Sequence, residues 1–412
     1  MINVIKILHK EKNYLRLFLA GIVNGIGDRF SQVALLTLLL ELTGSGFAVG
    51  IALAIRVVPF LIFGPFGGFL ADRFSRKKIM MITDLSRIVF AISFIFVNNE
   101  SHIWIIYASS FVLAAGEAIY APARKSFIPL LVKKENIIRI NSLEQVMLGI
   151  VLIVGSFSGG IVAFFFGPDL TFCLNGLSFL LASMIIFPLP VIDKNHQIKK
   201  NDEFNIFHSI KTIKKLMIAS STLYIVFLFE FIVPLFNGID NVLISIYAVQ
   251  EFKLDDVGVG LFYGALGIGL MLSFIIAQRI HQHLLLVGLT TLIAEGAFLI
   301  LLSQIHTVAI AFILYIAISF LSGICNTCFD SIVMKETPSE NQGLVFGLLT
   351  TMSNTIIGIS MFAAGIILEA VKNRVLGFIG GMGFVLTGLF LFVVYFIKIK
   401  QKESFKSRSF FM

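Results

Sequence analysis

Charged residues are scarce in this sequence: Asp, Glu, Lys and Arg make up 14% of its 412 residues, and hydrophobic residues make up 57%. A water-soluble globular protein has roughly a quarter of its residues charged. The composition therefore excludes a soluble enzyme and predicts a protein embedded in a membrane. Because a spanning helix needs about 20 apolar residues, a chain of 412 residues is long enough for twelve spans.

Features that other protein classes need are also missing. Cys173, Cys325 and Cys328 all lie in apolar stretches, so the sequence has no disulfide framework. Cys325 and Cys328 have the spacing of a metal-binding pair, but all seven histidines lie in predicted loops or termini, so no metal site is expected. The phosphate-binding pattern G-x-x-x-x-G-K-[ST] does not occur, so neither ATP nor another cofactor is expected. The N-terminal segment does not resemble a removable signal peptide, and we expect the first helix to be retained.

Charged or turn-forming residues divide the chain into twelve apolar runs of about the length of a transmembrane helix. The first six cover residues 15–40, 47–71, 79–97, 103–120, 140–166 and 170–192. The other six cover residues 218–249, 257–280, 284–302, 308–334, 343–371 and 375–399. Helix tilt or kinks can accommodate the runs that exceed the minimum length.

Basic residues are distributed unevenly among the connecting loops. If the N-terminus is cytoplasmic, only Lys253, Lys372 and Arg374 fall in external loops, and the other basic residues outside the apolar runs fall on the cytoplasmic side. The positive-inside rule therefore predicts a multi-pass protein with both termini in the cytoplasm. The same bias explains the net charge of +8 without a nucleic-acid partner.

The longest polar interval divides the chain into two halves of six spans. We predict bundles at residues 1–193 and 218–412, the second with a cytoplasmic tail, joined by a linker at 194–217. Apolar residues recur every three positions beside lysines in this linker: Phe204, Phe207, Ile210 and Ile213, with Lys211, Lys214 and Lys215. This pattern predicts a basic amphipathic helix on the inner leaflet. A solvated connector with chance periodicity is the alternative.

Similar phrases begin the two halves. NGIGD at 24–28 in the first span corresponds to NGID at 237–240 in the seventh. Glycines also recur in corresponding spans: Gly50 with Gly260, and Gly116 with Gly323. These matches favour two parallel repeats with a cavity between them near the bilayer midplane.

The loop after the second span reads GGFLADRFSRKK at 67–78. It resembles the signature G-x-L-a-D-R-x-G-R-[RK] of the major facilitator superfamily, with Ser75 in place of a glycine. The resemblance implies an all-α membrane protein with twelve transmembrane helices in two six-helix bundles related by a pseudo-two-fold axis. It also implies a conformational latch, formed by Gly68, Asp72, Arg73 and Arg76. The start of the eleventh span is the expected partner of Asp72, because Ser339 and Gln342 have capping-box spacing and a helix N-terminus attracts a carboxylate.

Further phrases resemble a subgroup of bacterial exporters of drugs, macrolides and siderophores. They include RVVPFLIFGPFGG at 56–68 and YAPARKSFIPLLV at 120–132. GSFSGG at 155–160 looks like a segment of exporters that exchange substrate for protons, with Ser156 in place of its proline. These likenesses imply export across the bacterial inner (plasma) membrane.

Carboxyl groups inside apolar runs are functional candidates, because each charge there costs about 2.5 to 3.5 kcal/mol. The proton-coupling candidates are Asp28, Asp240, Glu230 and Glu117, with Asp28 and Asp240 preferred for their repeat-related positions. The cavity or gate candidates are Arg56, Asp330, Asn24 and Asn237. Glu295 lies in the ninth span, which is a peripheral support in the superfamily, and no transport role is expected for it.

Intramembrane basic residues are expected to neutralise some of these acids. Asp84 is expected to pair with Arg87, three residues on along one helix face. Arg56 is expected either to hold a cavity carboxylate such as Asp28 charged or to anchor the bundle. Arg29 is a second candidate counter-ion for Asp28, although adjacent residues diverge on a helix.

The sequence thus predicts a secondary active exporter of a hydrophobic or amphipathic compound, of drug, macrolide or siderophore type, working by proton antiport and alternating access. Its expected partners are the substrate, protons and membrane lipid. An uncoupled carrier, for example a lysophospholipid flippase, is the alternative. A membrane-embedded enzyme is a remote alternative, because no cluster of His, Ser or metal ligands lies at one membrane depth.

Overall fold

The computed structural model describes residues 11–44, 46–155, 158–159, 162, 165–192 and 206–409. These residues form helices and short connections, with no strand among them. Residues 1–10, 156–157 and 193–205 lie outside the described part, so the expectations for Ser156 and Phe204 lie outside it as well.

The helices follow the apolar runs. The first half contains α1 (Lys12–Thr43), α2 (Gly46–Ile55), α3 (Val58–Arg73), α4 (Arg76–Ser93), α5 (Ile103–Leu131), α6 (Ile137–Ile150) and α7 (Pro168–Ile186). The second contains α8 (Ile206–Ala219), α9 (Ser221–Ile246), α10 (Asp255–Ala277), α11 (Leu284–Gln304), α12 (Val308–Glu336), α13 (Gln342–Ala370) and α14 (Asn373–Ser409). The π-helical turns Val151–Gly155 and Tyr247–Glu251 extend α6 and α9.

Twelve spans result, because α2 and α3 together form the second span and α8 belongs to the linker. Ten helices, counted with their adjoining 3-10 and π turns, are long and apolar enough to cross a membrane. Helix α1 and the α2–α3 pair complete the set. The number and order of spans are those that the sequence predicts.

Local chemistry sets several helix ends. Gly44 ends α1 with a left-handed φ of 60°, a conformation that glycine adopts without steric cost. The second span breaks at Arg56, and Pro59 lies in the first turn of α3, where its missing N–H is not needed. The Ser220 hydroxyl accepts a hydrogen bond from a backbone N–H of the first turn and caps α9.

The fourth span is longer than the sequence indicates. The apolar run ends at residue 120, but α5 continues to Leu131 through Pro122 and Pro129. Arg124 and Lys125, which were expected in a loop, therefore lie within the helix. Arg124 forms a buried ion pair and Lys125 a partly exposed one, both described below.

Each half is held by its own helix pairs, such as α1 with α7 and α4 with α5 in the first half, and α10 with α12 and α11 with α14 in the second. The halves meet where α3 and α5 contact α13 and where α6 contacts α10 and α12. We call the end of the bundle with Arg76, Lys134 and Lys335 the basic face, and the end with Glu100 and His306 the opposite face.

Glycines allow the halves to approach closely near the basic face. A Cβ atom on Gly68 of α3 would lie 2.4 Å from the carbonyl oxygen of Gly343 in α13. A Cβ on Gly149 of α6 would lie 2.5 Å from the carbonyl oxygen of Gly267 in α10. Side chains at these crossings would force the helices apart. The contacts therefore join the halves from the basic face to roughly the middle of the bundle.

The linker contains a helix, as the sequence predicts. In α8, Ile213 is 7% exposed and packs in the core that includes α9, whereas Lys211, Lys214 and Lys215 are exposed. Ile210 remains 56% exposed, so only part of the apolar face is covered by the protein. The placement of α8 on the inner leaflet stays a prediction.

Candidate functional site

A buried arginine joins two carboxylates of the first half. The Nη2 of Arg87 on α4 lies 2.9 Å from Oδ2 and 3.2 Å from Oδ1 of Asp28 on α1. Its Nη1 lies 3.2 Å from Oε2 of Glu117 on α5. The Arg87 side chain is 3% exposed, whereas those of Asp28 and Glu117 are 26% and 38% exposed. We call these three residues the carboxylate–arginine triad.

Neighbouring side chains fix the orientation of Arg87. Its guanidinium carbon lies 4.2 Å from the centre of the Phe179 ring on α7, a favourable cation–π position. Gly116 leaves space for its aliphatic stem, because a Cβ there would lie 2.8 Å from Arg87 Cδ. Four helices of the first half thus position the triad, whose carboxylates remain accessible.

Asp84 interacts electrostatically with Arg87 but forms no ion pair or hydrogen bond with it, so the expected direct pairing was wrong. Its carboxylate instead accepts a 2.9 Å hydrogen bond from Nδ2 of Asn24, and both residues are buried. Arg87 points from α4 toward α1 and α5, where two carboxylates compete for it. The cavity or gate candidate Asn24 therefore lies in a buried pair between α1 and α4.

The other two arginines inside the first half do not contact Asp28 directly. Arg29 donates a 3.4 Å hydrogen bond to Gln32, one turn on in the same helix. Arg56, at the break between α2 and α3, interacts electrostatically with Asp28 and Glu117 but has no ion pair or hydrogen bond with a described residue. The direct counter-ion of Asp28 is Arg87.

A second cluster connects the halves nearer the basic face than the triad. Lys125 Nζ of α5 lies 3.1 and 3.3 Å from the carboxylate oxygens of Asp330 on α12. The ammonium group also lies 5.6 Å from the ring centre of Phe346 on α13. Glu230 of α9 interacts electrostatically with both Lys125 and Asp330. Two candidates from the sequence, Asp330 and Glu230, therefore share a cation from the other half.

The basic face is closed by Asp72. Its carboxylate oxygens accept 2.7 Å hydrogen bonds from the backbone N–H groups of Gly343 and Leu344, at the N-terminus of α13. Arg76 lies 3.3 Å from the same carboxylate and donates to the Ser339 carbonyl oxygen at 3.3 Å. A carboxylate at a helix N-terminus interacts favourably with the exposed N–H groups and the helix dipole.

The expected capping box does not form at this terminus. The Gln342 side chain donates to the carbonyl oxygens of Met334 and Thr337 at 3.1 and 3.3 Å, and Asn341 is the N-cap residue without a side-chain cap. Asp72 of the other half supplies the acceptor instead. Arg73 stacks over Phe69, with its guanidinium carbon 4.3 Å from the ring centre.

Asp240 and Asn237 lie away from the triad. Asp240 lines a small cavity formed by residues of α9, α11 and α14, within the second half. The Asn237 carbonyl oxygen accepts a 2.9 Å hydrogen bond from the Asn241 side chain, in the same helix. The two preferred proton candidates, Asp28 and Asp240, are thus in different environments: one is ion-paired, and the other has no ion pair or hydrogen bond with a described residue.

Sequence reasoning missed a buried network near the basic face. Glu144 of α6 accepts a 2.6 Å hydrogen bond from Tyr14 Oη and pairs with Arg124, whose Nη2 lies 3.0 Å from Oε1. Glu144 lies inside the fifth apolar run, and the position of an acid inside such a run was the available signal in the sequence. For Arg124 and Lys125, the two flanking prolines concealed that the helix continues.

Comparisons with known proteins agree with this fold. Residues 17–361 match the model of the Major Facilitator Superfamily. The chain is 22% identical over 414 residues to the uncharacterized MFS-type transporter YfiS of Bacillus subtilis, covering 98% of this chain and 96% of that protein. Over 136 residues it is 32% identical to Macrolide efflux protein A of Streptococcus pyogenes, covering 32% of this chain and 33% of that one.

A solved structure supports the same conclusion at the level of the fold. The human organic anion transporter MFSD10 superimposes with a TM-score of 0.79 at 14% identity, covering 92% of this chain and 99% of that chain. The twelve-helix, two-bundle fold predicted from the sequence is thereby confirmed, as is the resemblance found in the loop at 67–78. The chain belongs to the Major Facilitator Superfamily, and it is a multi-pass membrane transporter rather than an enzyme.

Proposed function

We propose that this transporter exports a hydrophobic or amphipathic small molecule across the bacterial plasma membrane in exchange for protons, by alternating access. The observation that carries the proposal is the carboxylate–arginine triad: two accessible acids share one buried arginine. The basic face is proposed to be cytoplasmic, with both termini on that side, as the positive-inside rule predicts.

The triad suits the binding of one proton at a time. When either Asp28 or Glu117 takes up a proton, the other carboxylate still neutralises Arg87. An unpaired buried arginine, which would be costly inside a membrane, is thus avoided in both protonation states. We therefore assign the coupling proton to the triad.

Competition for the same carboxylate explains exchange. Glu117 uses one oxygen, Oε2, for Arg87, and its side chain is 38% exposed. A positively charged group on an amphipathic substrate therefore competes with a proton for Glu117. Mutually exclusive binding of the two is the thermodynamic requirement for antiport.

The contacts at the basic face support alternating access. Asp72 bonds to α13, and Lys125 pairs with Asp330, so two independent contacts between the halves favour the state closed on this side. Opening toward the cytoplasm requires both to separate. The macrolide efflux relative supports the substrate class, since its match, though partial, is to a protein named for efflux.

The test uses purified protein in proteoliposomes with an imposed pH gradient. Macrolides, other cationic drugs, siderophores and lysophospholipids are supplied in turn. We expect gradient-driven accumulation of an amphipathic compound by the wild type. Asp28→Asn and Glu117→Gln should both abolish uphill accumulation; Asp28→Asn should leave substrate binding detectable, whereas Glu117→Gln, which mimics the protonated acid, should weaken it. Glu100→Gln, at an exposed position on the opposite face, is the matched control and should transport normally.

Two outcomes would contradict the proposal. Full gradient-driven accumulation by the double variant Asp28→Asn/Glu117→Gln would remove the triad from proton coupling. Movement of lysophospholipid at equal rates with and without a pH gradient, and without transport of the other compounds, would establish the uncoupled carrier instead.

A further inference from the structure

The cavity beside Asp240 is too small for the exported substrate. Asp240 and Tyr247 of α9 line it together with apolar residues of α11 and α14, including Leu299 and Phe384. It has room for about one water-sized particle, whereas pockets for drug-sized ligands occupy about 300 to 1,000 Å³. Its occupant is therefore a single small species.

Two polar groups face this cavity without partners. Asp240 makes no hydrogen bond or ion pair with any described residue. Tyr247 is 4% exposed, and its hydroxyl has no hydrogen-bond partner in the described part of the chain. The hydroxyl lies against Gly377, where a Cβ would be 2.0 Å away. A buried hydroxyl and a carboxylate without partners are costly unless a bound species pairs with them.

The second half offers Asp240 no counter-ion. The apolar runs of this half carry basic residues only within two residues of their ends at the basic face, Arg279 and Lys398, yet four acids lie further inside them: Glu230, Asp240, Glu295 and Asp330. Lys125 of the first half pairs with Asp330 and lies near Glu230. Arg374 pairs with Glu251 at the opposite face and also donates to two carbonyl oxygens.

A second acid, which is buried, increases the need for a cation. Glu295 of α11 is 5% exposed and interacts electrostatically with Asp240. Neither carboxylate has an ion pair among the described residues. Neutralisation of two nearby acids in a membrane requires protons or a bound cation, because a water molecule alone leaves their charge uncompensated.

The corresponding site of the first half contains a cation. The repeat relates α1 to α9, α4 to α11 and α7 to α14. In the first half, Arg87 extends from α4 to Asp28 of α1 and lies beside Phe179 of α7. In the second half, α11 provides an acid instead of an arginine, and a small cavity lies between Asp240 and Phe384.

We propose that the cavity between Asp240 and Tyr247 binds one monovalent cation of about the size of a sodium ion. The Asp240 carboxylate supplies charge and the Tyr247 hydroxyl an oxygen ligand. A divalent or transition metal fits poorly, because no group of three or more His, Cys, Asp or Glu side chains in the described residues could hold one. This site is separate from the triad, and the proposal does not depend on which compound is exported.

The experiment measures binding of radioactive sodium to the purified full-length protein in nanodiscs. Sodium chloride is exchanged for choline chloride at constant ionic strength and pH, because choline is too large for the cavity. We expect saturable binding of one sodium ion per chain, together with a rise in melting temperature. Asp240→Asn should abolish binding. Tyr247→Phe, which removes only the hydroxyl, should weaken binding about tenfold, the equivalent of about 1.4 kcal/mol.

Asp28→Asn is the matched control, since it makes the same substitution at the repeat-related position and should retain sodium binding. The proposal is overturned if the wild type binds no sodium, or if Asp240→Asn and Tyr247→Phe both bind it as the wild type does. It is also overturned if Asp28→Asn loses binding, because the ion then belongs to the carboxylate–arginine triad. Protonation of Asp240 beside a bound water would produce the first of these results.

Discussion

Arg87, at 3% exposure, lies between two carboxylates that are about a quarter to two-fifths exposed. Its geometry has a chemical consequence at the scale of one residue. A planar guanidinium presents donors in two directions and can bridge Asp28 and Glu117, whereas a lysine ammonium is a point charge. The arginine is therefore a positioning residue that fixes the distance between the two acids.

Arg87→Ala should destabilise the protein by about 3–5 kcal/mol, the usual cost of removing one partner of a buried ion pair. Arg87→Lys should insert and fold with an intermediate melting temperature, because it keeps the charge but not the bridge. The measurement is thermal unfolding in detergent. Arg279→Ala, at an exposed position, is the control, with an expected change within about 0.5 kcal/mol. Equal melting temperatures for Arg87→Ala and wild type would show that Arg87 does not stabilise the fold through its ion pairs.

Asp72→Asn should slow transport about tenfold at equal expression. Hydrogen bonds to a charged acceptor are stronger than neutral ones by about 1 to 1.5 kcal/mol, and an amide interacts less with the α13 terminus. The state closed at the basic face should therefore be less populated. Initial transport rates in proteoliposomes measure the effect. Unchanged rates would leave the loop at 67–78 with only a topological role.

At the scale of the helix, the sequence predicts where most elements lie, because apolar runs and charged breaks are local signals. The seventh span is predicted from residue 218, and α9 begins at Ser221. The predicted end of the fourth span is wrong, because Pro122 and Pro129 lie inside α5 and do not end it. Partners are harder to predict than elements: the spacing of Asp84 and Arg87 suggests a pair, but contacts from α1 and α5, distant in sequence, determine the result.

Gly68→Ala should disfavour contact between α3 and α13, because the added Cβ would lie 2.4 Å from a backbone oxygen that cannot rotate away. Gly264→Ala is the matched control, since a Cβ at Gly264 meets nothing within 4 Å. A cysteine pair across the basic face should crosslink less efficiently in Gly68→Ala than in Gly264→Ala. Equal crosslinking would show that the helices adjust without separating.

At the scale of the whole molecule, orientation in the membrane is the property that follows from sequence charge alone. The test uses two variants that lack the three native cysteines and have one new cysteine each. The new cysteine is Ser101→Cys at the opposite face or Lys134→Cys at the basic face, and both positions are exposed. An impermeant thiol reagent added to intact cells should label only Ser101→Cys. Labelling of both positions from outside would contradict the twelve-span topology. Labelling of Lys134→Cys alone would show that the orientation is the reverse of the predicted one.

The contact of Arg76 with Asp72 is independent of the contact of Asp72 with α13, since both residues lie in the first half, four positions apart. When α13 moves away, the carboxylate loses two backbone donors but keeps its arginine. At Asp72, neither direction of the transition therefore leaves an isolated ion, and the free energy lost when this carboxylate leaves α13 stays within a few hydrogen bonds. A transporter must pass through both states in every cycle, and this local charge pair lowers the free-energy cost of separating Asp72 from α13.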